Sequence, residues 1–215
     1  MHETNTERDI VIDQITTTLQ QRISVEDSLF DRIYPDHVQR LSRLHFTPVS
    51  VALRAAAWLA PEPGMRILDA GAGAGKLCMV AALSHVGRWH GIEHDPSLVA
   101  VASPAARELA VAHCTRFAVG DLLAIDWRAF DSLYFYNPFE AALFGRGRGL
   151  DHIQGGAVFA ERVTAVQERL SELAAGTRVV AFHGFGGEMP SGFARAEGDG
   201  DLALWIKEPA RRAPR

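Results

Sequence analysis

The stretch Met65-Arg-Ile-Leu-Asp69-Ala-Gly71-Ala-Gly73-Ala-Gly75-Lys76 constrains this chain more than any other. Apolar Ile67 and Leu68 lead to an acid, Asp69, at the end of what reads as a buried strand. Three glycines at alternate positions then permit a close turn, and Leu77 to Leu83 continues as an apolar helix. A strand that passes through a glycine turn into a helix points to layered α/β architecture. The helix start offers backbone amides to a nucleotide-like ligand.

The 215 residues, 47% hydrophobic and 22% charged, suffice for one core domain with an extension. A net charge of −4 gives no general basic face for displacing counterions from nucleic acid, although a local basic patch stays open. Met1 to Ile10 is polar, without the apolar segment of a secretory signal. No apolar run approaches the roughly 18 residues that span a bilayer. The expectation is a cytoplasmic protein with no membrane partner. Cys78 in the apolar helix and Cys114 at a separate helix end read as reduced structural thiols.

Ile10, Val11, Ile15, Leu19 and Ile23 recur at helical spacing, predicting an amphipathic helix over 8–24, and a second helical stretch follows over 25–44. In Phe46-Thr47-Pro48, Thr47 suits the cap and Pro48 the first position of a helix that runs over 49–59 until Pro61-Glu-Pro63-Gly64 stops it. Beyond the glycine loop come a strand over 88–93, a helix over 97–114, strands over 116–120 and 132–137, a helix over 156–175 and a strand over 177–185. This alternation predicts a doubly wound, mostly parallel sheet. Two runs, 193–197 and 202–207, flank Gly198-Asp-Gly200 and read as a hairpin that adds an antiparallel edge. The expected division is an N-terminal helical extension or lid over 1–46, a core over 47–208 and a solvated tail over 209–215.

The loop departs from the dinucleotide fingerprint Gly-x-Gly-x-x-Gly, because its glycines stand at 71, 73 and 75 with an acid two places before the first. Asp69 would repel a pyrophosphate but can accept a hydrogen bond, direct or through water, from an ammonium group. The phosphate-binding Walker pattern also fails, since Leu77 follows Lys76 where Ser or Thr is required. Glu93 ends the next strand, where a carboxylate can take two ribose hydroxyls. Asp121 ends the one after, where it can accept from an adenine amino group while Leu122 offers a backbone amide. Three acids at three successive strand ends suit an amino-acid end, a ribose and a base.

Asp69-Ala-Gly71-Ala-Gly73, Glu93, Gly120-Asp121 and Asn137-Pro138, in this order and spacing, resemble the motifs of the class I S-adenosylmethionine-dependent methyltransferases. The likeness covers roughly 47–207. It implies a seven-stranded sheet with an antiparallel seventh strand and S-adenosylmethionine as cofactor. It implies cofactor-binding roles for Asp69, Gly71, Ala72, Gly73, Glu93, His94, Asp121, Leu122 and Asn137, and acceptor-side catalytic roles for Asn137, Pro138 and Phe139. In a methyl transfer the enzyme chiefly positions a nucleophile with its lone pair free. The carbonyl of Asn137 and the backbone carbonyls beside it can accept from an amino group, and Phe139 can stack on it.

Asn137-Pro138-Phe139 resembles the Asn-Pro-Pro-Tyr of amino-directed methyltransferases but lacks the second proline. Phe46-Thr47-Pro48 is similar to an element of the amino-adenine enzymes, and a more diffuse resemblance extends to the non-SET histone-lysine methyltransferases. These likenesses imply transfer to an amine or amide nitrogen of a small molecule or protein side chain, with nucleic acid less favoured by the acidic chain. The rival expectations are a non-catalytic sensor or partner subunit that binds the same cofactor, and a nicotinamide-dependent dehydrogenase. The sequence leaves the oligomeric state unread.

His90-x-x-Glu93-His94 spells an inverted zinc motif, but on a strand the two histidines would stand roughly 13 Å apart, so no metal is expected. His183, at the end of the fifth parallel strand, can reach the cleft. Glu140 suits either a base or a helix's first turn. Gly145-Arg146-Gly147-Arg148-Gly149 is a basic loop suited to a carboxylate or phosphate, or to solvent.

Overall fold

A computed structural model of the chain describes residues 3–136, 138 and 150–210. Asn137, Phe139, Glu140, the basic loop over 145–149 and the tail end over 211–215 lie outside the described residues. The elements run α1 (Glu3–Gln20), α2 (Asp27–Phe30), a 3-10 turn (Asp31–Ile33), α3 (Asp36–His45), α4 (Val49–Leu59), β1 (Arg66–Ala70), α5 (Lys76–Ser84) and β2 (Arg88–Glu93). Then follow α6 (Pro96–Glu108), β3 (Thr115–Val119), two 3-10 turns, β4 (Ser132–Tyr136), α7 (Leu150–Ser171), β5 (Arg178–Phe182), β6 (Phe193–Asp199) and β7 (Leu202–Lys207).

The seven strands form one sheet in the order β3-β2-β1-β4-β5-β7-β6. The first five are parallel, and β7 pairs antiparallel with both β5 and β6. This is the doubly wound sheet with an antiparallel hairpin that the sequence predicts. Its two faces are covered separately. Ile67, Trp89, Tyr134, Val180 and Leu204 pack against α1, α4, α5 and α6, whereas Leu68, Leu133, Phe135 and Val179 pack against Val166 and Leu170 of α7. Being buried on both faces, β1 and β4 carry apolar side chains at successive positions rather than alternate ones. No described helix is long and apolar enough to cross a membrane.

The structure corrects several expected boundaries. The single helical stretch over 25–44 is three pieces, because Pro35 lacks an amide hydrogen and forces Tyr34 into extended backbone, φ −96° and ψ 155°. The helix expected to reach Cys114 stops at Glu108, where Ala110 turns left-handed at φ 57° and the Val111 amide bonds back to the Ala106 carbonyl. Similarly, α1 ends at Gln20 ahead of a left-handed Arg22. Conversely, α7 begins at Leu150 rather than Gly156 and ends at Ser171.

Thr47 does not cap α4. Pro48 is the cap residue instead, and the Val49 amide donates at 2.9 Å to Oδ1 of Asp27, a carboxylate from the extension. Thr47 Oγ1 points into the core and lies 2.8 Å from the hydroxyl of Tyr134 on β4. A proline at the cap has no side-chain acceptor, so a distant acid supplies one.

Candidate active site

The glycine loop follows β1 at the carboxyl end of the sheet. Register places Asp69 between Gly91 of β2 and Tyr134 of β4. The amides of Gly71 and Ala72 both donate to the Ile92 carbonyl at 3.0 Å, so the loop is stitched to β2 as it turns. Gly71, Gly73 and Gly75 all have left-handed φ, 86°, 55° and 78°. At Gly73 space is limiting as well, because a Cβ there would sit 2.9 Å from the Phe46 ring.

Asp69 is 3% exposed, and its Oδ2 accepts a weak bond from the Cys78 thiol at 3.5 Å. Burial pushes its carboxyl up to about 7, against the thiol's opposing pull and with the Glu93 charge adding to the rise. Burial likewise raises the Cys78 thiol well above its usual value. An acid in this state gains its charge most readily when a cation arrives beside it.

Glu93, 6% exposed, turns back toward the loop. Its Oε2 accepts from the Gly73 amide at 2.9 Å, and its Oε1 accepts from the Asp95 amide at 3.0 Å and lies 2.8 Å from Nδ1 of the exposed His94. Two amide bonds leave a carboxylate further acceptor capacity, so Glu93 can hold the loop and still take hydroxyls. Asp121 caps the turn Leu122–Ala124 through the Leu123 amide at 3.0 Å. It also pairs with both terminal nitrogens of Arg162 on α7, at 3.1 and 3.2 Å. Partial burial pushes its carboxyl up, but the Leu123 amide and the Arg162 guanidinium outweigh this and hold it below the usual range. Leu122 is buried in the second core, and its carbonyl accepts from the Trp127 indole at 2.7 Å.

Beyond the end of β4, Pro138 meets the glycine loop directly: a Cβ on Gly71 would lie 3.3 Å from Pro138 Cβ. Tyr136, Phe182 and His183 form a ring cluster at the ends of β4 and β5, with centroids 4.2 to 5.9 Å apart. A cavity of about 20 Å³ joins the two sides, lined by Phe46, Thr47, Asp69, Gly71, Tyr134 and Tyr136 among others. Roomier cavities, about 490 and 610 Å³, flank the β5–β7–β6 edge and share no residue with it. Chemistry decides between them. The small cavity holds the perturbed carboxylate and the glycine turn, which makes it the candidate site.

The partners of one group that the Walker pattern drew attention to were not legible in the sequence. Lys76, first residue of α5, is 2% exposed. Its ammonium donates to Asp31 Oδ1 at 2.8 Å and to Ser42 Oγ at 3.1 Å, and lies 2.6 Å from Asp27 Oδ1. Ser42 in turn donates to Asp31 at 2.8 Å, and the Tyr34 hydroxyl donates to the Ala74 carbonyl at 3.2 Å. The extension is thus bonded to the donor loop itself. A lysine opening an otherwise apolar helix is the signal that could have revealed it, since a buried ammonium requires carboxylates.

His90 of the zinc-like motif lies half-buried on β2, edge-on to Phe130 with ring centroids 5.4 Å apart, while His94 sits on Glu93. The two serve different contacts.

The sequence profile of the protein-L-isoaspartate(D-aspartate) O-methyltransferase family matches residues 2–127. No curated protein matches the chain at a significant level. Among solved structures, an RNA methyltransferase from Salinibacter ruber in complex with S-adenosyl-L-homocysteine is 24% identical, with a TM-score of 0.51 over 84% of this chain and 96% of that one. TrmN from Thermus thermophilus is 20% identical, with a TM-score of 0.56 over 83% of this chain and 53% of its own. The [4+2]-cyclase SpnF is 21% identical, with a TM-score of 0.47 over 62% of this chain. The chain spans 43% of SpnF and about half of TrmN. These likenesses are of fold.

Proposed function

The chain belongs to the protein-L-isoaspartate(D-aspartate) O-methyltransferase family, within the class I S-adenosylmethionine-dependent methyltransferases, and from its acceptor-side residues rather than from that family's oxygen acceptor we propose that it methylates an amine or amide nitrogen of a small molecule or protein side chain. The family profile ends at residue 127, ahead of β4. Family membership therefore speaks for the donor half and leaves the acceptor half to its own residues.

The residues present fit the cofactor. The left-handed glycines keep side chains out of the loop, Asp69 offers a buried carboxylate for an ammonium group, and Glu93 retains acceptor capacity for hydroxyls. S-adenosylmethionine supplies a methyl group made electrophilic by its sulfonium. Asp121 and Leu122 stand at the next strand end, where the base would lie. The Arg162 pair and the Leu123 amide hold Asp121 in one orientation.

The observation that carries the acceptor reading is the contact of Pro138 with Gly71. It brings Pro138 against the glycine loop, so an amino group accepted by the Pro138 carbonyl would face the donor end. Holding both reactants in line converts a two-body encounter into a positioned one. Tyr136 and Phe182 supply flat apolar surface beside that point.

The test is to incubate the protein with methyl-labelled S-adenosylmethionine and fractionated extract, then treat the products with alkali. Label on nitrogen resists alkali. A methyl ester on an isoaspartyl carboxyl releases volatile methanol, and that result would replace the nitrogen reading with carboxyl transfer.

A further inference from the structure

His183 breaks the rules of its neighbourhood. It follows β5 with φ +53°, a left-handed conformation that non-glycine residues rarely take, and Gly184 continues the turn at φ +78°. Backbone held in this way commonly marks a place where a side chain must be aimed. The conformation ends β5 three residues before the expected Phe185 and swings the imidazole over Phe182 and Tyr136, with ring centroids 4.2 and 5.9 Å away. Tyr136 lines the small cavity that holds Asp69.

Two contacts from the β6–β7 turn hold the residue there. The His183 amide donates to the Asp201 carbonyl at 3.0 Å, and Nδ1 lies 3.5 Å from Asp201 Oδ2. The Asp201 carboxylate stands on the Nδ1 side of the ring at ion-pair distance, which leaves Nε2, on the opposite side, as the nitrogen to take a proton. Asp201 from the hairpin and Tyr136 from β4 are the titratable groups that meet this ring among the described residues.

We propose that His183 takes the proton released by the acceptor nitrogen, with Asp201 as its positioning residue. This rests on the nitrogen-acceptor reading above. As the nitrogen lone pair bonds to the methyl carbon, the carbon–sulfur bond breaks and its electron pair stays on sulfur. The proton leaves nitrogen for His183 Nε2, and solvent then takes it from the imidazolium.

The experiment compares wild type, His183→Asn and Asp201→Asn as full chains. Asn tolerates left-handed backbone, so His183→Asn removes the base and keeps the turn. Donor-site integrity is read by calorimetry with S-adenosylhomocysteine, and transfer by the initial rate of alkali-stable labelling of the accepting extract fraction between pH 5 and 9. The expected result for His183→Asn is unchanged S-adenosylhomocysteine affinity, a rate lower by about 100-fold or more, and loss of the acidic limb of the pH–rate profile. Asp201→Asn keeps that limb and the S-adenosylhomocysteine affinity and lowers the rate by a smaller factor than His183→Asn, because it removes the contact that orients the ring and keeps the base. A His183→Asn rate and profile matching wild type would overturn the role of His183 alone. So would loss of S-adenosylhomocysteine affinity in step with rate, which marks a structural residue. A wild type that binds S-adenosylhomocysteine but gives no alkali-stable label overturns the acceptor reading, and the proton transfer with it.

Discussion

The Glu93 carboxylate spans from β2 to the first turn and takes the Gly73 amide at 2.9 Å, so the side chain proposed to take the donor's hydroxyls also shapes the glycine loop. Glu93→Ala should therefore act twice, loosening the loop and removing a charge-assisted acceptor. Calorimetry with S-adenosylmethionine should show affinity weakened by about 1.5–3 kcal/mol. Glu93→Gln, whose carbonyl can still accept from Gly73, should lose less. Equal losses for the two variants would mean that the negative charge, not the loop contact, dominates.

Asp69 makes both stability and donor binding depend on pH, in opposite directions. Its carboxyl is raised to about 7 by burial, so between about pH 4 and 7 the folded chain keeps a proton that the unfolded chain releases. Stability should fall as pH rises through that window, by at most about 1.4 kcal/mol per pH unit, and level off above it. Donor affinity should rise over the same window, because an ammonium binds the charged form. Urea unfolding and calorimetry at pH 5 and 8 test both, and Asp69→Asn should flatten both trends.

Lys76→Met should cost about 3–5 kcal/mol of folding stability, since it leaves the buried Asp31 carboxylate uncompensated. The double variant Lys76→Met with Asp31→Asn should recover a large part of that loss. Denaturant midpoints decide it: additive losses would show that the two groups do not act as a pair.

Gly91 lies under the loop, where an added Cβ would come 2.6 Å from Ala72 Cβ and 2.8 Å from the Phe117 ring. Gly91→Ala should push Ala72 away from β2 and weaken S-adenosylmethionine binding by an order of magnitude or more. Its thermal midpoint should drop as well, as overpacking typically costs about 1–3 kcal/mol. Full donor affinity in this variant would show that the loop does not need its contact with β2.

Much of the sheet was legible because burial on two faces writes itself into consecutive apolar residues. The expected 88–93 strand coincides with β2, and the hairpin was visible in Gly198-Asp-Gly200. The places of Asp69, one residue before the end of β1, and of Glu93, the last residue of β2, were legible because a strand end has a fixed place in such a fold. What could not be read depends on partners far along the chain. Asp121 meets Arg162 across 41 positions, Lys76 meets Asp31 across 45, and Thr47 meets Tyr134 across 87. No local period announces such pairs. The break at Pro35 was signalled by its own chemistry, and the periodicity on either side concealed it.

The joint between Lys76 and the carboxylates of the extension bears on how such a chain can be recombined. Cutting between Phe46 and Thr47 would strand an ammonium in an apolar interior and expose Val49's amide, so that junction is a poor site for swapping modules. A splice after Trp127 would cross neither bond. The leading helices thus travel with the glycine loop as one block, and any exchange downstream has to rebuild the β1–β4 pairing and the Thr47–Tyr134 and Asp121–Arg162 contacts.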